Sequence, residues 1–223
     1  MNKIYLVGDS ILRGIVYDSE RGKYRFGEEM KLHCLEENGY EVVNLSRMGA
    51  TVDKGYALLE RKLTGDLSGD TVILGFGGND CNYNWQRVSD KNCDGILPCT
   101  PMDTFEQTYR KCIAYAKGLG ARVMSVTLVP LDGKKYMNWI SRGLSRENIL
   151  DWLGDESMLY RWQESYNQKV WEISEDTGCD RIDIRHPFLF SHDYSSLMCE
   201  DGIHPTEKGY SLIKSSISDK VTN

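Results

Sequence analysis

The stretch Ile4-Tyr5-Leu6-Val7-Gly8-Asp9-Ser10 decides the fold, because an apolar run of strand length ends abruptly in a polar turn. Residues 4–7 are predicted to form a strand that is apolar throughout, as expected for a strand covered on both faces. After this stretch, short β-rich runs alternate with longer helical patterns. The further predicted elements are strands at 40–45, 71–76, 122–129 and 181–184, and helices at 28–37, 52–63, 104–119, 157–177 and 206–221.

This alternation predicts an α/β fold with a five-stranded parallel sheet and helices on both faces. The 223 residues, of which 40% are hydrophobic, suit a single domain that spans residues 1–223. Two long connections, 81–101 and 131–156, each follow a predicted strand. Parallel sheets bind ligands at the carboxyl ends of their strands, so both connections are expected above the same edge as an active site.

Composition argues against several classes of partner. The formal net charge of -6 disfavours a nucleic-acid partner, and no apolar run is long enough to span a bilayer. The seven cysteines are odd in number and irregularly spaced, which favours reduced thiols and a cytoplasmic location. The apolar run after Met1 is also too short for a signal peptide. No Cys-x-x-Cys pair supports a zinc site, and no cofactor is expected; the four cysteines considered for zinc are Cys81, Cys93, Cys99 and Cys112.

Two segments from opposite ends of the chain carry a possible nucleophile and its base. Ser10 lies at the carboxyl end of the first predicted strand, and Asp201-Gly202-Ile203-His204-Pro205 precedes the last predicted helix. A serine hydroxyl needs a base to remove its proton, and imidazole titrates near neutrality. A carboxylate must also orient the imidazole, and Asp201 stands three residues before His204. Ser10 or Asp9 as a helix cap and His204 in an ordinary surface turn are the simpler interpretations.

Two further segments follow the second and third predicted strands and could supply an oxyanion hole. Asn79 in Gly77-Gly78-Asn79-Asp80 offers a side-chain amide, and Gly49 offers a backbone N–H. Attack on an ester places negative charge on the carbonyl oxygen, which such donors stabilise. Each segment alone could be an ordinary glycine turn.

Taken together, these segments resemble the SGNH hydrolases, also called the GDSL esterase/lipase family, which are named for Ser, Gly, Asn and His in four blocks. The blocks here carry Ser10, Gly49, Asn79 and His204 in that order and span nearly the whole chain. The resemblance implies a three-layer α/β/α flavodoxin-like sandwich and a catalytic triad of Ser10, His204 and Asp201. It also implies an oxyanion hole from the backbone amides of Ser10 and Gly49 and the side chain of Asn79. Ile11 stands where the family's short name has leucine.

The expected substrate is a small-molecule or carbohydrate ester, most specifically an acetyl group on a sugar. The two long connections and the residues just beyond them are rich in aromatic side chains, which can stack on sugar rings or simply pack the connections onto the domain: Tyr83, Trp85, Tyr136, Trp139, Trp152, Tyr160 and Trp162. A lipase or thioesterase acting on longer acyl chains is an alternative.

Two further hypotheses place the chain in different classes of protein. A non-catalytic binding module would keep the fold without needing a base. A metal-dependent phosphatase would use acidic and histidine side chains at the strand ends to hold a divalent ion; the candidate ligands are Asp9, Asp80, Asp201 and His204.

Overall fold

A computed structural model describes residues 1–28 and 32–222. The strands are β1 Lys3–Gly8, β2 Ile15–Asp18, β3 Lys23–Phe26, β4 Glu41–Asn44, β5 Thr71–Gly75, β6 Arg122–Val126 and β7 Asp180–Ile182. The helices are α1 Ser10–Arg13, α2 His33–Glu37, α3 Val52–Lys62, α4 Trp85–Ser89, α5 Met102–Gly118, α6 Gly133–Ile140, α7 Arg146–Leu153, α8 Ser157–Thr177, α9 His186–Leu189 and α10 Glu207–Thr222.

Five strands form one parallel sheet in the order β4-β1-β5-β6-β7. The predicted α/β fold with a five-stranded parallel sheet flanked by helices is confirmed. The strand order reverses between β1 and β5, which pair in register from Ile4 with Thr71 to Gly8 with Gly75. In open parallel sheets the crevice at such a reversal is the usual ligand site.

The two faces of the sheet bury separate apolar clusters. In β5, Val72 and Leu74 point to one face, which α3, α5 and α8 cover, while Ile73 points to the other. That second face packs against α2 and α10 through residues such as Leu35 and Tyr210. Because both faces are covered by helices, the strands are apolar on both sides, as the sequence pattern predicted.

Several predicted boundaries differ from the structure. The strand expected to reach residue 129 ends at Val126, because the backbone N–H of Leu128 donates to the side-chain oxygen of Asn167 and no longer to a neighbouring strand. The helix predicted at 28–37 covers His33–Glu37, and residues 29–31 lie outside the described part of the chain. The antiparallel β2–β3 hairpin was not predicted.

The two long connections contain helices that pack on each other. Helix α4 in the first connection contacts α7 in the second. Together they bury a third apolar cluster that includes Val88, Met137 and Ile149. The connections are therefore folded units and not extended loops.

No helix in the described part of the chain is long and apolar enough to cross a membrane. All seven cysteines are free thiols.

The glycine in the middle of α3 gives a test of packing against the sheet. A Cβ on Gly55 would lie 2.1 Å from the ring of the buried Phe76, the residue after β5. Gly55→Ala should lower the free energy of unfolding by about 1–3 kcal/mol, although alanine favours helix. Urea unfolding measures the change.

Gly118 in the last turn of α5 is the matched control, because in the described part of the chain no atom beyond its chain neighbours and its own helix backbone lies within 4 Å of the position its Cβ would take. Gly118→Ala should leave stability unchanged or raise it by about 0.4–1 kcal/mol. Equal stability of Gly55→Ala and wild type would contradict tight packing on Phe76.

Candidate active site

Ser10 occupies a tight turn at the end of β1. The turn starts α1, whose N-cap Asp9 accepts a hydrogen bond from the backbone N–H of Ile11 at 2.9 Å. The helix stops after four residues at Gly14, which has a φ of 78°. This short helix holds the side chain of Ser10 at the carboxyl edge of the sheet, where it is 6% exposed.

The three predicted triad side chains form one hydrogen-bonded chain. Nε2 of His204 lies 2.8 Å from Oγ of Ser10, and Nδ1 of His204 lies 2.6 Å from Oδ2 of Asp201. A neutral imidazole with its proton on Nδ1 donates to the carboxylate and accepts at Nε2 from the serine hydroxyl. The geometry therefore suits proton transfer from Ser10 to His204.

Backbone hydrogen bonds hold the loop that carries Asp201 and His204. Oδ1 of Asp201 accepts from the backbone N–H groups of Ile203 and His204, both at 3.0 Å. Gly202 has a φ of 72°, and a Cβ there would lie 2.5 Å from the backbone nitrogen of Tyr136 in α6. Only glycine fits this position, for both reasons. Helix α6 of the second connection thus supports the loop.

Asp201 is fully buried, yet it is held as a carboxylate. Burial on its own would raise the pKa of Asp201. The hydrogen bonds and charge of His204, together with the N–H groups of the loop, outweigh burial and keep this pKa below its ordinary value. An ionised Asp201 can orient the ring of His204 and stabilise its protonated form.

The unpredicted β2–β3 hairpin supplies an aromatic wall beside the base. The ring of Tyr24 lies edge-on to the ring of His204, with centroids 5.0 Å apart. The ring of Tyr17 contacts the rings of Tyr24 and of Trp139 in α6, with centroid distances of 5.1 and 4.7 Å. The signal that could have revealed this hairpin is the pair of β-branched and aromatic runs at 15–18 and 23–26, separated by a turn that contains Gly22.

Gly49 and Asn79 lie on neighbouring loops after β4 and β5. Gly49 has a φ of 70° and is exposed. The side-chain amide of Asn79 donates one hydrogen to the backbone oxygen of Ala50 at 3.1 Å. Its second hydrogen keeps its capacity to donate. Their assignment to an oxyanion hole stays a prediction.

In the described part of the chain, no three His, Cys, Asp or Glu side chains converge as metal ligands would. The four candidate ligands have other partners here: Asp201 holds His204, and Asp9 and Asp80 accept backbone hydrogen bonds at the starts of α1 and α3. The phosphatase hypothesis therefore gains no support from the arrangement of these side chains.

Comparison with known proteins agrees with this geometry. The profile of the GDSL-like lipase/acylhydrolase family matches residues 6–212. The chain belongs to this family. It is a GDSL-type ester hydrolase, and the resemblance drawn from the four blocks is confirmed. A search of curated protein sequences gives no match.

Solved structures of low sequence identity share the fold of this GDSL-type hydrolase. One is a G-D-S-L family lipolytic protein from Veillonella parvula, with 17% identity, full coverage of both chains and a TM-score of 0.69. A variant of an acetyl-xylooligosaccharide esterase from Geobacillus stearmophilus has 20% identity and a TM-score of 0.67, with 100% of this chain and 94% of that chain covered. An acetyl xylan esterase has 19% identity and a TM-score of 0.64, with 98% and 99% covered.

A pocket of about 230 Å³ adjoins the triad of this GDSL-type hydrolase. Gly78, next to Asn79, and Ile203, next to His204, form part of its lining. Val129 follows β6, and the remaining lining residues come from both long connections and from α8. No lining residue carries a charge, and the aromatic members are Tyr83, Trp85, Tyr136, Trp152 and Trp162. The expectation that both connections lie above the active-site edge is confirmed. We call this space the aromatic pocket.

Polar groups of three aromatic side chains in this pocket form hydrogen bonds to other protein atoms. Nε1 of Trp85 and the hydroxyl of Tyr136 both donate to Oδ1 of Asn82, at 2.8 Å each. Nε1 of Trp162 donates to the backbone oxygen of Cys81 at 2.9 Å. These hydrogen bonds fix the rings in place. The pocket therefore presents mainly apolar surface to a ligand.

Asp9, next to Ser10 in the chain, is a buried carboxyl that the hydrogen-bonded triad does not use. Burial raises the pKa of Asp9 to about 7, and the nearby charge of Asp80 adds to this effect. The N–H of Ile11 and the charge of His204 oppose it only in part. The ionised form of Asp9 therefore costs folding free energy.

This raised pKa predicts that Asp9 destabilises the protein as the pH rises. The folded state holds the Asp9 proton up to about pH 7, whereas the unfolded chain releases it near 3.8. Between these values the folded state binds more protons, so stability falls with rising pH. Asp9→Asn removes this pH dependence of stability. Its side-chain oxygen can still accept the hydrogen bond from the backbone N–H of Ile11. Relative to wild type, the variant should gain on the order of 2–3 kcal/mol of unfolding free energy between pH 5 and pH 8.

Urea unfolding at both pH values measures the difference, with Asp94→Asn at an exposed carboxyl as the control. The same stability difference between Asp9→Asn and wild type at both values would contradict the raised pKa.

Proposed function

We propose that this protein is a serine esterase that removes short acyl groups, specifically acetyl, from a carbohydrate. The observation that carries the esterase part is the hydrogen-bonded chain from Ser10 through His204 to Asp201. It joins residues from opposite ends of the sequence in the order that nucleophilic catalysis needs.

In the first half of the reaction, His204 accepts the proton of Ser10 as Oγ attacks the ester carbonyl carbon. The carbonyl oxygen becomes an oxyanion, which the backbone N–H groups of Ser10 and Gly49 and the amide of Asn79 stabilise. The bond to the alcohol then breaks, and His204 gives its proton to the departing alcohol oxygen. The acyl group stays on Ser10.

In the second half, a water molecule takes the place of the alcohol. His204 removes a proton from the water, whose oxygen attacks the acyl carbon. The tetrahedral species collapses, the carboxylic acid leaves, and His204 returns the proton to Oγ of Ser10. Asp201 stays ionised throughout and stabilises the protonated ring.

Two substitutions separate the nucleophile from the oxyanion donor. Ser10→Ala should abolish hydrolysis of p-nitrophenyl acetate and covalent labelling by a fluorophosphonate, because no oxygen remains to attack. Asn79→Ala should lower kcat by about 10²–10³ with little change in KM, because its contact strengthens in the transition state. It should still be labelled at Ser10.

Steady-state kinetics and mass spectrometry of the labelled protein measure both effects. Turnover by Ser10→Ala at the wild-type rate would exclude the triad. An effect of Asn79→Ala on KM alone would move Asn79 from the oxyanion hole to substrate binding.

The carbohydrate part of the proposal rests on the aromatic pocket. Aromatic faces stack on the apolar faces of sugar rings, and the half-buried rings of Tyr83, Trp85 and Trp152 line one uncharged space beside the triad. An acetyl group would fill only a small part of about 230 Å³, so the pocket has room for part of the alcohol. Two of the proteins that share the fold are named as esterases of acetylated xylan or xylooligosaccharide.

The second candidate is an esterase for longer acyl chains. Leu153, Met158 and Leu159 line part of the same pocket with aliphatic surface. An acyl chain of intermediate length would bury apolar area there, which stabilises binding by roughly 25 cal/mol per Å².

A substrate series decides between these two candidates. The ratio kcat/KM for p-nitrophenyl esters should be highest at acetate, and acetylated xylooligosaccharides should be deacetylated. Trp152→Ala should lower kcat/KM for the oligosaccharides several-fold, because a stacking face is lost. The control is Trp171→Ala, since Trp171 packs against Arg181 outside the aromatic pocket. Highest activity at octanoate or longer, without deacetylation of sugars, would make the pocket an acyl-chain site.

We also propose a cytoplasmic location, because an odd number of irregularly spaced cysteines favours reduced thiols.

A further inference from the structure

An open groove of about 830 Å³ lies between the β2–β3 hairpin and the loop after β4. No Asp or Glu stands among its lining residues, although acidic residues outnumber basic ones by 33 to 27 in the whole chain. We call it the cationic groove because six of its lining side chains are basic: Arg13, Arg21, Lys23, Arg25, Arg47 and Lys62.

Three of these six basic side chains contact oxygen atoms of the protein itself. Arg13 donates to the backbone oxygen of Asn44, and Arg25 pairs with Glu207 at 2.8 Å. Arg21 lies 3.7 Å from Asp18. The carboxylates beside Arg21 and Arg25 compensate part of the positive charge of the groove, whereas the backbone oxygen that Arg13 binds is neutral.

Lys23, Arg47 and Lys62 are different. All three are exposed, and none forms an ion pair with a carboxylate in the described part of the chain. Three uncompensated positive charges along one groove create a local positive potential on a protein of net charge -6.

The groove reaches the active site from the β4–β1 half of the sheet. Tyr24 lines it, and the ring of Tyr24 also contacts the ring of His204. The backbone N–H of Arg47 donates to the oxygen of Gly8, two residues before Ser10. Arg47 is also two residues from Gly49, which the proposed mechanism places at the oxyanion. A ligand in the groove would therefore lie close to an ester bound at Ser10.

We propose that the cationic groove binds an anionic group on the alcohol part of the substrate, so that the natural substrate is an acetyl ester of a carbohydrate that bears carboxylate or phosphate. This inference rests on the proposed esterase function. The charge is assigned to the alcohol part of the substrate because an acetyl group contains no ionisable group.

Matched pairs of substrates test the groove. One pair is an acetylated oligosaccharide of galacturonic acid and the same compound with its carboxylates converted to amides. The other is acetylated glucose 6-phosphate and acetylated 6-O-methylglucose. In at least one pair, kcat/KM should favour the anion about tenfold or more in 20 mM NaCl. The preference should shrink towards unity in 0.5 M NaCl, since salt screens exposed charges. The pair that responds identifies the anionic group.

Variants of the groove assign the preference to it. Lys23→Gln and Lys62→Gln should each lower the anion-to-neutral ratio by about two- to fivefold, the range expected for an exposed ionic contact. Arg47→Gln should lower the same ratio. Lys111→Gln, at an exposed lysine of α5, is the control and should leave the ratio unchanged.

The failure of this inference differs from the failure of the proposed function. Equal kcat/KM for both members of each pair, or an anion preference that survives the Lys23 and Lys62 substitutions, would overturn the inference and leave the esterase intact. If wild type hydrolyses neither the pairs nor p-nitrophenyl acetate, the esterase proposal fails. Calorimetry with unacetylated galacturonate oligosaccharide and with glucose 6-phosphate then tests the groove separately from catalysis. Salt-sensitive binding of either ligand that Lys62→Gln weakens supports the inference, and absence of binding by both ligands overturns it.

Discussion

The pairing of Gly8 with Gly75 at the ends of the two central strands is the contact on which the site depends. A Cβ on Gly8 would lie 2.6 Å from the oxygen of Gly75, and a Cβ on Gly75 would lie 2.8 Å from the side chain of Leu12. Only glycines let α1 turn back over the strand ends at this distance. The same turn places Ser10 beside the loop after β5, which begins two residues before Gly78. Backbone packing therefore holds Ser10 and the loop that carries Asn79 at the same edge of the sheet.

The two long connections have a structural role as well as lining a pocket. Helix α6 fits against Gly202 so closely that a side chain there would collide with the helix backbone, and the N–H of Asp132 donates to the oxygen of Gly202 at 3.0 Å. Lys135 donates to the backbone oxygen of Met198 at 2.8 Å. The second connection thus supports the loop that carries His204 on one side and lines the aromatic pocket on the other. Removing it would disturb His204 as well as the substrate site.

Much of the fold and the triad could be predicted, because both depend on local patterns. Apolar runs such as Ile4 to Val7 mark buried strands, and the spacing of Asp201 and His204 puts both groups on one loop. The β2–β3 hairpin escaped prediction because each of its strands has only four residues and β3 alternates charged with aromatic side chains, so only Ile15 and Val16 give an apolar signal. Its contact with His204 joins residues 180 positions apart, which no local pattern reveals. Asp9 was considered as a cap or a metal ligand, and the structure shows the cap.

The two spaces beside the triad differ in polarity, and in the proposed function this difference would set the direction in which the substrate binds. The aromatic pocket lies over the β5–β6 half of the sheet, where Gly78 and Val129 line it, and carries no charged side chain. The cationic groove lies over the β4–β1 half. Moving an ionised group into the uncharged pocket without a partner would cost far more than leaving it in water. A carbohydrate ester whose alcohol part carries both an anionic group and an uncharged sugar ring would then bind in a single orientation, with the anionic group over β4 and the uncharged ring over β6. Specificity in this hydrolase would come from that asymmetry, because the triad itself distinguishes neither end.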